Sequence, residues 1–407
     1  MSDRRRDPED PPRPEKRSAQ ESLGEYGEAI RLGTGRIVEK AAGILQEIDH
    51  AAALLGELLT ESAPDRTRLV QEQPRVRALM LCELLLARSR EAWFTDPAAA
   101  VELSELAVVV SDRLDRDHYG EALVEDARAR SWAHLANALR VTSDLRRAEE
   151  AFRTADDHHR QAGEDAYTGA EILGFKASLR VAQGRYEEAA SLLDPAIQVY
   201  RDARDRHREG RSLIKKGTAL SYANRHTEAA RLLQRGLAQI NGSEEPRVLV
   251  MARHNLINCL KGSGRHEEAL RVLSETRGFY LELGEPSHLV RLRWLEGKIL
   301  RDLGRADEAE AAFREVRDDL IGLELGLDAA LVSLDLAMIL LERGDTGELK
   351  RLAAEMIPVF ESRDDHKKAL AAFLLFQKAA EAEQVTLGLL QEVASSLERT
   401  RRAVERG

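Results

Sequence analysis

The chain repeats one pattern of apolar and polar residues every 40 residues over most of its length. Within each repeat, apolar residues recur at spacings of four and seven, which place them on one face of an α-helix. Turn-like pairs of residues separate the helical stretches: Gly184-Arg185, Asn224-Arg225, Gly264-Arg265, Gly304-Arg305 and Gly344-Asp345. Glycine, and after it asparagine, tolerates the left-handed backbone that ends a helix. We therefore predict a repeated pair of helices joined by a tight turn.

Both helices of the predicted pair carry an apolar stripe. The second helix of one unit has Ala189, Leu193 and Tyr200, and the first helix has a leucine four residues before the turn, as at Leu220 and Leu260. Each helix therefore offers an apolar face to its neighbours. We predict an all-α fold of eight helix pairs, which occupy approximately residues 77–115, 120–161, 168–205, 208–245, 248–284, 287–325, 327–364 and 366–402.

The residues that precede the repeats differ from them in composition. Residues 1–20 are rich in Pro, Asp, Glu and Arg and nearly free of apolar residues, which predicts a disordered leader. Residues 36–59 have apolar residues at helical spacing and predict an amphipathic helix within an N-terminal segment of residues 21–75. The helical array would then occupy residues 76–407.

The repeat resembles the tetratricopeptide repeat. The strings GRYEEAASLL, GRHEEALRVL and GRADEAEAAF follow that family's pattern of a glycine, then alanine, then leucine or an aromatic residue around the second helix. Gly217 and Gly297 stand where the family has a glycine inside its first helix. The period of 40 exceeds the family's usual 34 or so, as in long-repeat arrays of bacterial proteins. The resemblance implies a right-handed α-solenoid of antiparallel helix pairs, with a concave groove lined by the first helices.

Polar and basic residues occupy the positions that would line this groove. They recur with the 40-residue step and share a helix face at spacings of three and four. They are Arg211, Lys215, Thr218, Asn255, Asn258, Lys261, Arg291, Lys298 and Arg301. Such a stripe would bind an acidic peptide or a terminal carboxylate through charge-assisted hydrogen bonds. The alternative is that these residues are ordinary solvated side chains.

The seventh repeat departs from this pattern, because its first helix is apolar on all sides. Leu331, Leu334, Met338 and Leu341 occupy the positions that would face the groove, and Phe373 lies in an apolar stretch of the next helix. One interpretation is that the last helix covers these residues. The other is that they form an exposed patch for a partner or for a second copy of the chain.

Composition narrows the classes of function. The 407 residues include 61 Lys and Arg against 71 Asp and Glu, a formal charge of −10. This balance disfavours general nucleic-acid binding. The sequence has no apolar run of about 18 residues, so we expect no membrane span. The first residues lack the apolar core of a secretory signal, and we expect a cytoplasmic protein.

The candidate chemical motifs are weak. Residues 33–35 (Gly-Thr-Gly) lack the third glycine of a dinucleotide-binding loop. His158 and His159 lie beside two aspartates, but adjacent residues on a helix point about 100° apart, which fits a solvated helix end better than a metal site. Cys82 and Cys259 lie in apolar helical contexts, where a cysteine acts as a small hydrophobic residue. We expect no catalytic residue, no metal and no cofactor.

These patterns favour a non-enzymatic function. We predict a protein–protein interaction scaffold or adaptor that binds a peptide or protein segment in the groove of the solenoid. The alternative is a ligand-responsive sensor that controls a separate transcription or signalling protein. An enzyme within the N-terminal 75 residues is a third interpretation that no motif supports. The expected partner is a protein or peptide, such as an acidic segment, and the sequence leaves open whether the chain forms a homo-oligomer.

Overall fold

The structure of the protein is a computed structural model that describes residues 50–242, 245–283, 286–355, 374, 376–381 and 383–404. The predicted leader, the predicted helix before residue 50 and the glycine motif at residues 33–35 lie outside the described residues. The described residues form helices and turns and no strand. The chain divides into two compact units, Met1–Leu135 and Ala136–Gly407.

The first unit is a group of helices that bury two apolar clusters. Its helices are α1 (residues 50–60), α2 (Ala63–Glu72), α3 (Leu79–Ala92), α4 (Pro97–Asp112), α5 (Arg116–Tyr119) and the first part of α6 (Glu121–Val141), with a 3₁₀ helix at Pro74–Val76. Leu58 of α1, Leu81 of α3 and Leu106 of α4 belong to one buried cluster. The division between the two units falls after Leu135, inside α6, and the boundary expected at residue 75 stays a prediction.

The second unit is a series of helices that pack in chain order. After the end of α6 its helices are α7 (Leu145–Gln161), α8 (Ala166–Ala182), α9 (Tyr186–Asp202), α10 (Arg206–Tyr222), α11 (His226–Leu237), α12 (Pro246–Gly262), α13 (His266–Leu283), α14 (Pro286–Asp302), α15 (Ala306–Gly322), α16 (Gly326–Arg343), α17 (Thr346–Glu355) and α18 (Leu387–Val404). Residues 376–381 are also helical. Each helix from α8 to α15 packs on the next one, and the first helices α8, α10, α12 and α14 also touch in that order. The predicted all-α solenoid of helix pairs is confirmed.

The predicted turns end the first helix of each pair. The four turn glycines have φ between 72° and 76°, and Asn224 has φ of 61°. This left-handed conformation carries no steric penalty at glycine and a small one at asparagine. At the first of these turns the N–H of Arg185 donates to the carbonyl oxygen of Arg180 at 2.8 Å. The turn thereby satisfies a carbonyl that a helix end otherwise leaves unpaired.

The predicted apolar stripes form the core between the helices. Ala189, Leu193 and Tyr200 are at most 5% exposed. Gly217 allows α10 and α11 to approach closely, because a Cβ at that position would lie 2.8 Å from Cγ of Leu233. The glycine inside the first helix therefore has a packing role in this repeat.

Candidate functional site

The nine predicted groove residues lie on α10, α12 and α14, and we call the side of these helices that carries them the groove face. Their polar contacts run from one first helix to the next. The contacts join residues that are 34 to 41 positions apart in the sequence. Polar contacts between neighbouring first helices therefore recur with the 40-residue repeat.

Three hydrogen bonds hold the first helices together on this face. Lys215 Nζ donates to the carbonyl oxygen of Gly174 at 3.0 Å, which joins α10 to α8. Asn255 Nδ2 donates to Thr218 Oγ1 at 3.1 Å, which joins α12 to α10. The indole Nε1 of Trp294 donates to Asp335 Oδ2 at 2.7 Å, which joins α14 to α16. Two of these bonds use predicted groove residues as structural links.

Five of the six predicted cations are paired with carboxylates of the next repeat, and the exception is Lys215. Arg211 lies 2.9 Å from Glu245, Lys261 lies 2.9 Å from Asp302, and Arg291 lies 3.3 Å from Asp328. Asp335 takes two of the cations, since Arg301 lies 2.8 Å and Lys298 lies 3.4 Å from its oxygens. The predicted stripe of basic residues is therefore a network of ion pairs and not a row of unpaired cations.

The groove face still carries a surplus of positive charge. Its six cations, with Lys215 included, meet four carboxylates in these contacts. Asp328 and Asp335 are 4% and 6% exposed, so the cations above them are the groups that a ligand would reach. The side chain of Arg291 is 43% exposed and that of Arg211 is 30% exposed.

An exposed methionine lies among these arginines. Met251 on α12 is 55% exposed, and it is 40 residues after Arg211 and 40 residues before Arg291. The predicted stripe of polar and basic residues does not include it, although the 40-residue step alone identifies the position.

The remaining polar residues of α12 are held within the same repeat. Asn258 Nδ2 donates to the carbonyl oxygen of His254 at 3.2 Å. His254 Nδ1 lies 3.0 Å from the hydroxyl of Tyr280 on α13. Burial lowers the pKa of His254 below 6.5, and the nearby charges of His288 and Arg291 lower it further.

The predicted apolar patch on α16 is covered. Leu331 and Leu334 are 5% and 0% exposed, in one buried cluster with Leu390 and Leu397 of α18. Two further predicted residues, Met338 and Leu341, are partly buried against that cluster, while Phe373 lies outside the described residues. The interpretation of an exposed patch is thus wrong for Leu331 and Leu334, because α18 packs on α16.

An ion pair fixes α18 in the same place. Arg401 Nη1 donates to Asp328 Oδ1 at 3.1 Å, and Arg291 Nη2 donates to the other oxygen of that carboxylate at 3.3 Å. One buried aspartate of α16 therefore binds a groove-face arginine of α14 and an arginine of α18. The open part of the groove face ends at α14.

The weak chemical motifs have structural explanations. His158 and His159 lie in the last turn of α7, where a positive charge complements the helix dipole. Burial raises the pKa of the Cys82 thiol to about 12 and also raises that of Cys259, so neither thiol is activated. Among the described residues no group of His, Cys, Asp and Glu could hold a metal ion. Within the same residues, every helix is too short or too polar to cross a membrane.

Comparison with known proteins identifies the repeat. The sequence model of the tetratricopeptide repeat matches residues 169–240, which include most of α8 and all of α9 to α11. No curated protein matches the chain in sequence.

Three solved structures illustrate the structural likeness. Aspartyl phosphate phosphatase F from Bacillus subtilis is 14% identical, with 76% of this chain and 79% of that chain covered and a TM-score of 0.49. A Rap protein complexed with Competence and Sporulation Factor is 14% identical, with 81% of this chain and 89% of that chain covered and a TM-score of 0.49. NprR in complex with its cognate peptide NprX is 13% identical, with 82% of this chain and 97% of that chain covered and a TM-score of 0.46. The family model and the helix pairs together show that this chain carries tetratricopeptide repeats, which the model places at residues 169–240.

Proposed function

We propose that the protein is a non-enzymatic scaffold or adaptor whose groove face binds an extended, acidic protein segment. The observation that carries this proposal is the surplus of cations on α10, α12 and α14 in a chain with a net charge of −10. Local positive charge in a negative protein favours an acidic ligand at this face over the rest of the surface.

The existing ion pairs are compatible with such a ligand. An arginine has five N–H donors, so Arg211 and Arg291 can bind a ligand carboxylate while they keep Glu245 and Asp328. Both arginines are more exposed than their carboxylate partners, whose side chains are 23% and 5% exposed. A ligand carboxylate that approaches from solvent meets the guanidinium groups first.

Fluorescence anisotropy with a labelled peptide of alternating glutamate and serine tests the proposal, with the glutamine analogue as the uncharged probe. We expect the acidic peptide to bind more tightly than the analogue, and we expect its affinity to fall with added salt. Arg211→Gln and Arg291→Gln should each reduce its affinity several-fold, about 1 kcal/mol. Arg271→Gln on α13, whose side chain is 68% exposed, is the control and should leave the affinity unchanged. An equal loss in Arg271→Gln would contradict the proposal.

The hydrogen bonds between first helices favour the sensor as a second candidate. A ligand that binds Lys215 or Asn255 shares these side chains with the bonds to Gly174 and Thr218, so its occupancy is coupled to the packing of α8, α10 and α12. A sensor predicts that peptide binding increases amide hydrogen exchange where these helices meet. A rigid scaffold predicts unchanged or slower exchange there.

A further inference from the structure

On the groove face, one position of the 40-residue repeat carries a basic, an apolar and a basic side chain on three successive first helices. Arg211, Met251 and Arg291 each lie 40 residues apart and occupy the same turn of α10, α12 and α14. Met251 is 55% exposed, and the two arginine side chains are 30% and 43% exposed. A ligand that lies across the three helices therefore meets a cation, an apolar side chain and a second cation in turn.

The protein itself shows how an apolar residue at this position is covered. Leu331 follows Met251 by two register steps and is 5% exposed, because it lies in the cluster that includes Leu390 and Leu397 of α18. An apolar side chain at this position of a first helix thus packs against apolar residues from another segment of the chain. Met251 has the same position without this cover, and methionine adapts readily to the shape of an apolar partner.

The spacing of the helices sets the spacing of the ligand's side chains. Packed helices lie about 8–10 Å apart, and an extended segment in the polyproline II conformation advances about 3.1 Å per residue with three residues per turn, so every third side chain points to the same face. About three ligand residues therefore pass from one first helix to the next. We infer that the bound segment carries an acidic residue, an apolar residue and a second acidic residue, each separated by two other residues. The pattern reads the same in both chain directions, so it holds for either orientation of the ligand.

This inference rests on the proposed function and is tested with serine peptides of nine residues. The first peptide has aspartate at its second and eighth positions and leucine at its fifth. The second peptide has the same composition, but its aspartates flank the leucine directly. The third has the first peptide's aspartates and a serine in place of the leucine. We expect the first peptide to bind about tenfold more tightly than either of the others, as measured by fluorescence anisotropy.

Protein variants locate the apolar contact. Met251→Ser should remove the preference for leucine over serine at the fifth position, so that the first and third peptides bind equally. The matched control is Leu281→Ser, since Leu281 on α13 is also apolar and 62% exposed and should leave the preference intact. Both side chains are exposed, so circular dichroism should show an unchanged fold for both variants.

The outcomes separate this inference from the proposed function. If all three peptides bind equally and Arg211→Gln weakens them, the groove face binds acidic segments and the inferred spacing is wrong. If Leu281→Ser rather than Met251→Ser removes the leucine preference, the assignment of Met251 is wrong. If none of the peptides binds, or if the groove-face variants have no effect on binding, both the inference and the proposed function fail.

Discussion

The groove face of α10 to α14 and the corresponding face of α16 follow one 40-residue register but have opposite surfaces. At the same register position Met251 is 55% exposed and Leu331 is 5% exposed. The first face is a ladder of polar contacts that solvent reaches, whereas α18 covers the second. A repeat thus determines where a side chain lies on its helix, and the elements that follow the repeat determine whether that side chain is available to a partner.

The largest expected effect comes from placing one charge at this position in each region. Leu331→Asp buries a carboxylate in the apolar cluster with α18 and should lower the free energy of unfolding by about 3 kcal/mol or more. Met251→Asp places the same charge in solvent and should change the free energy of unfolding by less than about 0.5 kcal/mol. Urea unfolding of the two variants measures the difference. Equal losses would mean that α18 does not cover α16.

A second comparison concerns the polar contacts at another shared position. Asn255 and Asp335 are two register steps apart, but Asn255 makes one neutral bond to Thr218, whereas Asp335 accepts from Trp294 and Arg301. Asp335→Ala should cost about 3 kcal/mol because it leaves the buried indole N–H of Trp294 without an acceptor and Arg301 without its counter-charge. Asn255→Ala should cost about 1 kcal/mol. The reverse order in chemical denaturation would show that the network around Asp335 is not a structural link.

A smaller effect is expected where α18 joins the array. Arg401→Gln removes the ion pair with Asp328 but leaves the pair with Arg291. We expect a loss of about 1 kcal/mol in stability, with faster amide hydrogen exchange in α18 and unchanged exchange in α10. Arg399→Gln, on the same helix, is the control. Faster exchange in α10 as well as α18 would show that the two faces are not independent.

The smallest expected effect is a pH dependence of the free energy of unfolding that arises from His254 on α12. The folded-state pKa of His254 is below 6.5, because the residue is buried and lies near His288 and Arg291. Below about pH 6.5 the unfolded chain therefore binds a proton at His254 that the folded chain does not bind, and stability is lost as the pH falls. His254→Gln should show a smaller loss between about pH 7.5 and 5.5 in unfolding measurements. An identical pH dependence in both proteins would exclude His254 as its cause.

The fold could be predicted because its determinants are local. The turn residues require a left-handed backbone, as the φ of 61° at Asn224 shows, and the apolar stripes depend only on helical spacing. Gly217 was identified from its place in the repeat, and its close contact with Leu233 gives the physical reason.

The chemistry of the site could be predicted only in part, because it depends on contacts between repeats. Lys261 and Asp302 form an ion pair across 41 sequence positions, and a search for residues on one helix face does not consider such partners. The burial of Leu331 depends on where the chain returns after α17, which no periodic pattern specifies. The exposure of Met251 cannot be predicted from the sequence, because an exposed apolar residue on a helix has the same pattern as a core residue.

The central claim is that an acidic segment binds along the groove face, and photo-cross-linking tests it most directly. A photoreactive amino acid replaces Met251 in one variant and Leu281, which is 62% exposed on α13, in the other. Each is illuminated with the labelled nine-residue peptide that carries aspartate, leucine and aspartate. We predict saturable labelling at position 251 that unlabelled peptide suppresses, and little labelling at position 281. Equal labelling at both positions, or labelling at 281 alone, would contradict the account.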